Sequence, residues 1–188
     1  MIALTFDDGP DPVWTPRLLD LLADIGARAT FFVIAARATR HPDLIARMSD
    51  EGHSIGVHCA EHARHPLRDI AWGRNDAWQS LARLRAMDAC PRLWRTPWGE
   101  LAWWTGRVAR EQQLRLVHWT VDTHDWRGDT AQQMFEATRD RLKDGAIVLA
   151  HDGIGPGARR TDAAQTLGFV ELAAEQARAD GIELGALA

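Results

Sequence analysis

The stretch TFDDGP, residues 5–10, sets two carboxylates side by side where an apolar run ends and the chain turns at Gly9 and Pro10. Adjacent negative charges repel unless something positive lies beside them, so Asp7 and Asp8 need a partner. The stretch GHSIGVHCAEHARHP, residues 52–66, offers four histidines. His58 and His62 are four apart, so on a helical turn their rings share one face and can converge on a metal ion. His53 and His58, five apart, do not converge in that way. His62 and His65, three apart, are a rival pair, disfavoured by Pro66 directly after His65. HxxxH alone is a modest signal, because surface histidines on a polar loop give the same pattern. Joined to a spare carboxylate it becomes a two-histidine, one-carboxylate set, the ligand set of many hydrolytic zinc centres. The metal would neutralise one aspartate and leave the other free as a base.

Three more polar clusters follow apolar runs: RTPWG (95–99), VDTHDW (121–126) and LAHDG (149–153). Singly they are ordinary, with Arg95 a surface cation, Asp122 a turn residue and His151 a loop histidine. Their common placement is what matters. IALTF, ATFFVIA, HSIGV, LRLVHWTV and AIVLAH read as strands, with residues 92–94 and 182–184 as weaker ones. Residues 15–24, 42–51, 67–88, 101–112, 130–143 and 161–179 carry apolar side chains at helical spacing, and Gly26, Gly52, Gly145 and Gly181 suit helix C-caps. This β-α alternation fits one parallel α/β domain over residues 1–188, either an open doubly wound sheet or a barrel. A full barrel takes about 250 residues, so a barrel here is short or incomplete. In both architectures ligands gather at the C-terminal strand ends, where all five clusters fall. TFDDGP contains no GxGxxG and no P-loop, which demotes a nucleotide-binding reading.

The 188 residues are 46% apolar and 26% charged, with a net charge of −4 and no basic patch. That gives no footprint for nucleic acid or an anionic membrane. No apolar stretch reaches the roughly 20 residues of a membrane span. With no leader pattern at its start the chain reads as cytoplasmic, a trimmed exported domain being the alternative. Cys59 and Cys90 read as free thiols. There are nine Trp and no Tyr, and five of the Trp fall between Trp98 and Trp126. Nothing in the sequence sets an oligomeric state.

With these motifs in this order, the chain resembles the polysaccharide deacetylases of the NodB-homology family, carbohydrate esterase family 4. TFDDGP matches the family's first motif in full, and GARATFFVIA resembles its second strand. GHSIGVHCAEH matches the second motif with its core on His58 to His62; RTPWG, VDTHDW and LAHDG then follow in family order, so the likeness spans residues 2–152. It implies a distorted, incomplete (β/α) barrel of about seven repeats. Asp8, His58 and His62 would hold a divalent metal, zinc first, with Co2+, Mn2+ or Ni2+ admissible. Asp7 would act as base, held and kept ionised by Arg95. His151 would act as acid, oriented by Asp125 rather than Asp122. A backbone N–H near Trp98 or Gly99 would face the oxyanion, and Trp126 and Leu149 would take the acetyl methyl. Trp98, Trp103 and Trp104 offer stacking faces for sugars, although for the last two core packing of a helix is an equal reading.

Two features depart from the pattern. Cys59 stands where a hydroxyl residue is usual, so it would alter a hydrogen bond behind the ligand or add a soft ligand. The run ARHPL after His62 brings proline later than in many members, which opens the question whether His65 approaches the metal or substrate. The implied activity is removal of acetyl groups from N-acetylated sugars of the chitin-oligomer or peptidoglycan type, so the partner is a carbohydrate. Alternatives are O-acetyl removal from xylan, deacylation of a small or lipid-linked amide, and an inactive glycan-binding domain. The last is disfavoured because the base and every ligand are retained. A haloacid-dehalogenase reading of the Asp pair fails, since that chemistry wants a residue between its aspartates.

Overall fold

The structure, a computed structural model, describes residues 1–188. Strand β1 (Ile2–Asp7) is buried along its whole length, as its nearly unbroken apolar run requires of a central parallel strand. Its side chains alternate. Ile2, Leu4 and Phe6 face a large apolar cluster shared with Leu18, Leu19 and Leu22 of helix α1 (Trp14–Asp24) and Phe169 of the last helix. The other face turns Thr5 and Asp7 inward. Strand β2 (Thr30–Ile34) divides likewise, Phe31 and Val33 joining the outer cluster and Phe32 a small inner one with Leu93 and Val117.

The remaining strands are β3 (Ser54–Cys59), β4 (Leu93–Trp94), β5 (Arg115–Leu116), β6 (Val121–Asp122), β7 (Ile147–His151) and β8 (Leu184–Gly185). All pair in parallel, in the order β5-β4-β3-β2-β1-β7-β6, with β8 beside the start of β1. The sheet curls into an incomplete barrel with its helices outside. LRLVHWTV, expected as one strand, is two short ones at opposite sheet edges. Between them residues 117–120 cross the open seam, Val117 N–H bonding Trp94 O at 2.9 Å and Thr120 N–H bonding Ile147 O at 2.9 Å. One stretch of chain serves two edges, so neither strand can be long. At the N-terminal end of the barrel, Leu187 packs on the inner cluster and its N–H donates to Thr30 Oγ1 at 2.9 Å.

The other helices are α2 (Ala35–Ala38), α3 (Pro42–Asp50), α4 (Ile70–Arg85), α5 (Thr105–Glu111), α6 (Ala131–Thr138) and α7 (Ala164–Ala179). Several are shorter than their apolar spacing suggests, because polar caps intervene. Asp69 starts α4 by accepting Trp72 N–H at 2.8 Å, leaving 65–67 as a 3-10 turn at Pro66. Thr130 and Gln133 form a capping box that starts α6, which gives way to a 3-10 turn at 139–141. Helix α2, absent from the sequence expectation, begins at the last residue of ATFFVIA. No helix is long and apolar enough to cross a membrane.

Candidate active site

At the C-terminal strand ends lies a cavity of about 410 Å³, lined among others by Asp7, Asp8, His58, His62 and His151. Trp98, Gly99, Trp126 and Leu149 also line it, so nearly every expected site residue meets there. Arg95 and Asp125 lie just beneath, 1% and 2% exposed.

Asp8 leaves the end of β1 with a left-handed backbone, φ +73°, a conformation uncommon for residues with a side chain, though Asp enters it more readily than most. Its carbonyl accepts from Arg37 Nη1 at 2.8 Å, and Arg37 Nη2 reaches Ile154 O at 2.8 Å. Asp8 Oδ1 lies 3.4 Å from His58 Nε2 and 3.2 Å from His62 Nε2. His58 is the penultimate residue of β3, whereas His62 sits on the following loop. The two rings therefore converge from a strand end and a loop, not along the helical turn that their spacing suggests.

These three residues suit a cation. His58 Nδ1 lies 2.7 Å from Arg95 O, which can only accept, so Nδ1 carries the proton and Nε2 turns a lone pair toward Asp8. Asp8 Oδ1 is buried without a hydrogen-bond partner, and the three ligand atoms all lie within 4.8 Å of one another. The neutral His58 ring faces the carboxylate acceptor to acceptor, an arrangement that calls for a positive charge between them. Burial raises the Asp8 pKa, but His58 and His62, in the protonated form that takes the place of a cation, hold it well below the usual carboxylate range.

Asp7 turns inward beside Arg95. Arg95 Nη1 donates to Asp7 Oδ1 at 2.9 Å and to Thr5 Oγ1 at 2.7 Å, while Nη2 reaches His118 O at 3.3 Å. The guanidinium also lies 4.2 Å from the Phe32 ring centroid, so it is planted in the barrel interior. The carbonyls of the seam crossing thus help hold a cation under Asp7.

Opposite them, His151 Nδ1 lies 2.7 Å from Asp125 Oδ1. Asp125 Oδ2 accepts from His151 N–H at 3.0 Å and Thr166 Oγ1 at 2.8 Å, with Arg160 Nη2 at 3.4 Å. Burial opposes charge on His151, yet Asp125 prevails and pushes its pKa up to about 9. Burial likewise opposes the Asp125 carboxylate, and His151, Arg160 and Thr166 together bring its pKa below the usual value. Asp122 instead accepts its own turn's His124 N–H at 2.8 Å.

Several expectations need correcting. Gly99 N–H donates to Thr96 O at 2.9 Å and is spent, leaving the Trp98 N–H as the oxyanion candidate. Trp98 itself is left-handed, φ +55°, with its ring 4.3 Å from that of His62. Trp104 is fully buried, so it packs the core and offers no sugar face, and Trp103, 83% exposed, lies outside the cavity lining. His65 is buried among Trp72, Trp94 and Trp104, where burial lowers its pKa to about 4; it does not join the Asp8, His58 and His62 group. Cys59 is buried, its thiol pKa raised by burial, and it is no member of the cluster either. Successive strand residues face opposite ways, so His58 pointing into the site turns Cys59 out of it. His53 lies away from the cluster, its Nδ1 accepting Ala29 N–H at 3.1 Å.

Sequence reasoning missed Arg37, Arg160, Thr166, Trp119 and Gly155. A Cβ on Gly155 would fall 1.9 Å from Asp8 Oδ2, so the loop after β7 lies directly on the Asp8 carboxylate. The signal was GIGPGARR, residues 153–160, whose glycines permit that approach and whose second arginine reaches Asp125.

A family model described as polysaccharide deacetylase matches residues 1–117. The chain is 37% identical to a chitooligosaccharide deacetylase of Bradyrhizobium sp. over 165 residues, covering 85% of this chain and 74% of the relative. It is 36% identical to a peptidoglycan-N-acetylglucosamine deacetylase of Bacillus cereus over 155 residues, covering 81% and 73%. A family 4 carbohydrate esterase from Streptomyces lividans, solved with acetate, superposes with a TM-score of 0.88 at 28% identity, over 98% of this chain and 91% of that one. The incomplete barrel and the sequence likeness agree, and the chain belongs to the polysaccharide deacetylase family, the NodB-homology group of carbohydrate esterase family 4.

Proposed function

We propose that this protein is a metal-dependent hydrolase that removes acetyl groups from N-acetylated sugars of the chitooligosaccharide or peptidoglycan type. The observation that carries the reading is one cavity with a buried acceptor cluster, an Asp–Arg pair and an Asp–His pair on its walls. A divalent cation, zinc in the first instance, held by Asp8, His58 and His62 would supply Lewis acidity to polarise a carbonyl and acidify a water.

The chain's own groups divide the remaining work. Asp7, fixed by Arg95, takes a proton as water adds to the acetamido carbonyl carbon. The Trp98 N–H faces the oxygen that gains negative charge. His151, cationic through Asp125, gives its proton to the amine nitrogen, the C–N bond breaks, and acetate and a free amino sugar leave. Leu149 and Trp126 exclude water around the acetyl methyl. A histidine held protonated at neutral pH favours an amide over an O-acetyl substrate, because an amine departs only once protonated. The test is acetate release from N-acetylglucosamine oligomers, peptidoglycan and acetylated xylan, with and without added zinc. Release from xylan alone would overturn the N-acetyl assignment.

A further inference from the structure

The two histidines of the acceptor cluster are held very differently. His58 is locked by its Nδ1 contact with Arg95 O. His62 has no such lock, since its Nδ1 is buried without a partner. Trp98 packs against one side of the ring, and the rest of its placement is inherited from the loop that carries it. That loop begins on Asp76, in the middle of α4. Asp76 Oδ1 accepts the N–H of Ala60 at 3.1 Å and of Glu61 at 2.9 Å, and Oδ2 accepts Ala60 N–H at 3.2 Å.

Asp76 is 3% exposed and has Ala77, Ser80 and Leu81 as buried helix neighbours. A carboxylate in such a place is destabilising unless its hydrogen bonds compensate. Those it accepts come from Ala60 and Glu61, two of the three residues between His58 and His62. We propose that Asp76 is a positioning residue for His62: it fixes the turn after β3, and so the separation of the two imidazoles that hold the cation. The proposal rests on the assignment of Asp8, His58 and His62 as ligands. Groups behind metal ligands typically contribute about 10–100-fold to metal affinity.

The test is the zinc dissociation constant of the chelated, metal-free protein, by calorimetry, for wild type, Asp76→Ala and Asp76→Asn, beside the melting temperature of each metal-free form. Cobalt absorption spectra report the ligand arrangement independently. Asp76→Ala is expected to bind zinc about 10–100-fold more weakly and to shift the cobalt spectrum. Asp76→Asn keeps the Oδ1 acceptor that serves both N–H groups, so its expected loss is smaller, at the lower end of that range, about tenfold. If Asp76→Ala does not fold, the near-isosteric Asp76→Asn decides alone. A folded variant with wild-type affinity and an unchanged cobalt spectrum overturns the role of Asp76. A wild type that binds no zinc overturns the ligand assignment instead, so the two failures are separable.

Discussion

Asp125→Asn should convert a nearly pH-independent acid into one that fails at neutral pH. In the intact site Asp125 carries His151 to a pKa of about 9, so at pH 7.5 the cation outnumbers the neutral ring by about 30 to 1. A bound dication would offset the Asp8 charge, which also favours the cation, and would place the wild-type limb at or somewhat below that value. Asparagine removes the main raising influence and leaves the burial that opposes charge, so the pKa falls to about 6.5 or lower. The cationic fraction at pH 7.5 is then at most about one tenth, and turnover on an amide should drop about tenfold or more. The sign matters: a raised pKa makes the acid competent below about 9, and its loss moves the alkaline limb downward. At pH 5.5 the variant regains its proton and the defect should shrink to a few-fold. The assay is kcat for acetate release from an N-acetylated chitooligosaccharide between pH 5 and 10. An Asp125→Asn alkaline limb coincident with wild type, or a defect equal at every pH, would mean that Asp125 does not set the charge of His151.

The two neighbouring aspartates should separate: Asp7→Asn keeps zinc and loses about 10²–10⁴-fold in kcat, whereas Asp8→Asn loses zinc first, both read by calorimetry and turnover. Equal metal loss in the two variants would contradict that division. His151→Ala should lose about 10²-fold or more on an N-acetyl sugar but only a few-fold on nitrophenyl acetate, whose phenolate leaves without a proton; equal losses would remove the acid assignment. Gly155→Ala puts a methyl 1.9 Å from Asp8 Oδ2, so it should weaken zinc binding while leaving far-ultraviolet circular dichroism unchanged. Wild-type affinity there would show that the loop yields freely.

What the sequence disclosed was the set of strand-end clusters, because β1, β3, β4 and β7 are apolar runs whose ends are marked by abrupt polarity. A parallel sheet then brings the ends together whatever the local loop does, which is why Asp7, Asp8, His58, Arg95 and His151 were legible. Local inference failed where tertiary pairing decided the outcome. The run LRLVHWTV has the composition of one strand, yet the curled sheet divides it between two edges. The His58 and His62 spacing suggested a helical turn, while Asp76, 14 residues beyond His62, draws the intervening N–H groups into a loop. Trp104 and His65 carry no sequence mark of burial, and their mutual packing answers part of the tryptophan excess. Arg37 and Arg160 act through backbone carbonyls and Asp125, contacts that no spacing encodes.

Metal-dependent deacetylation of an N-acetylated glycan would show itself in a single comparison. Acetate released from N-acetylglucosamine oligomers is followed with exhaustively chelated protein, before and after one equivalent of zinc. No release is expected from the chelated protein, and full release once zinc is restored. Equal release in both states would contradict that expectation, as would silence in both when calorimetry shows zinc bound.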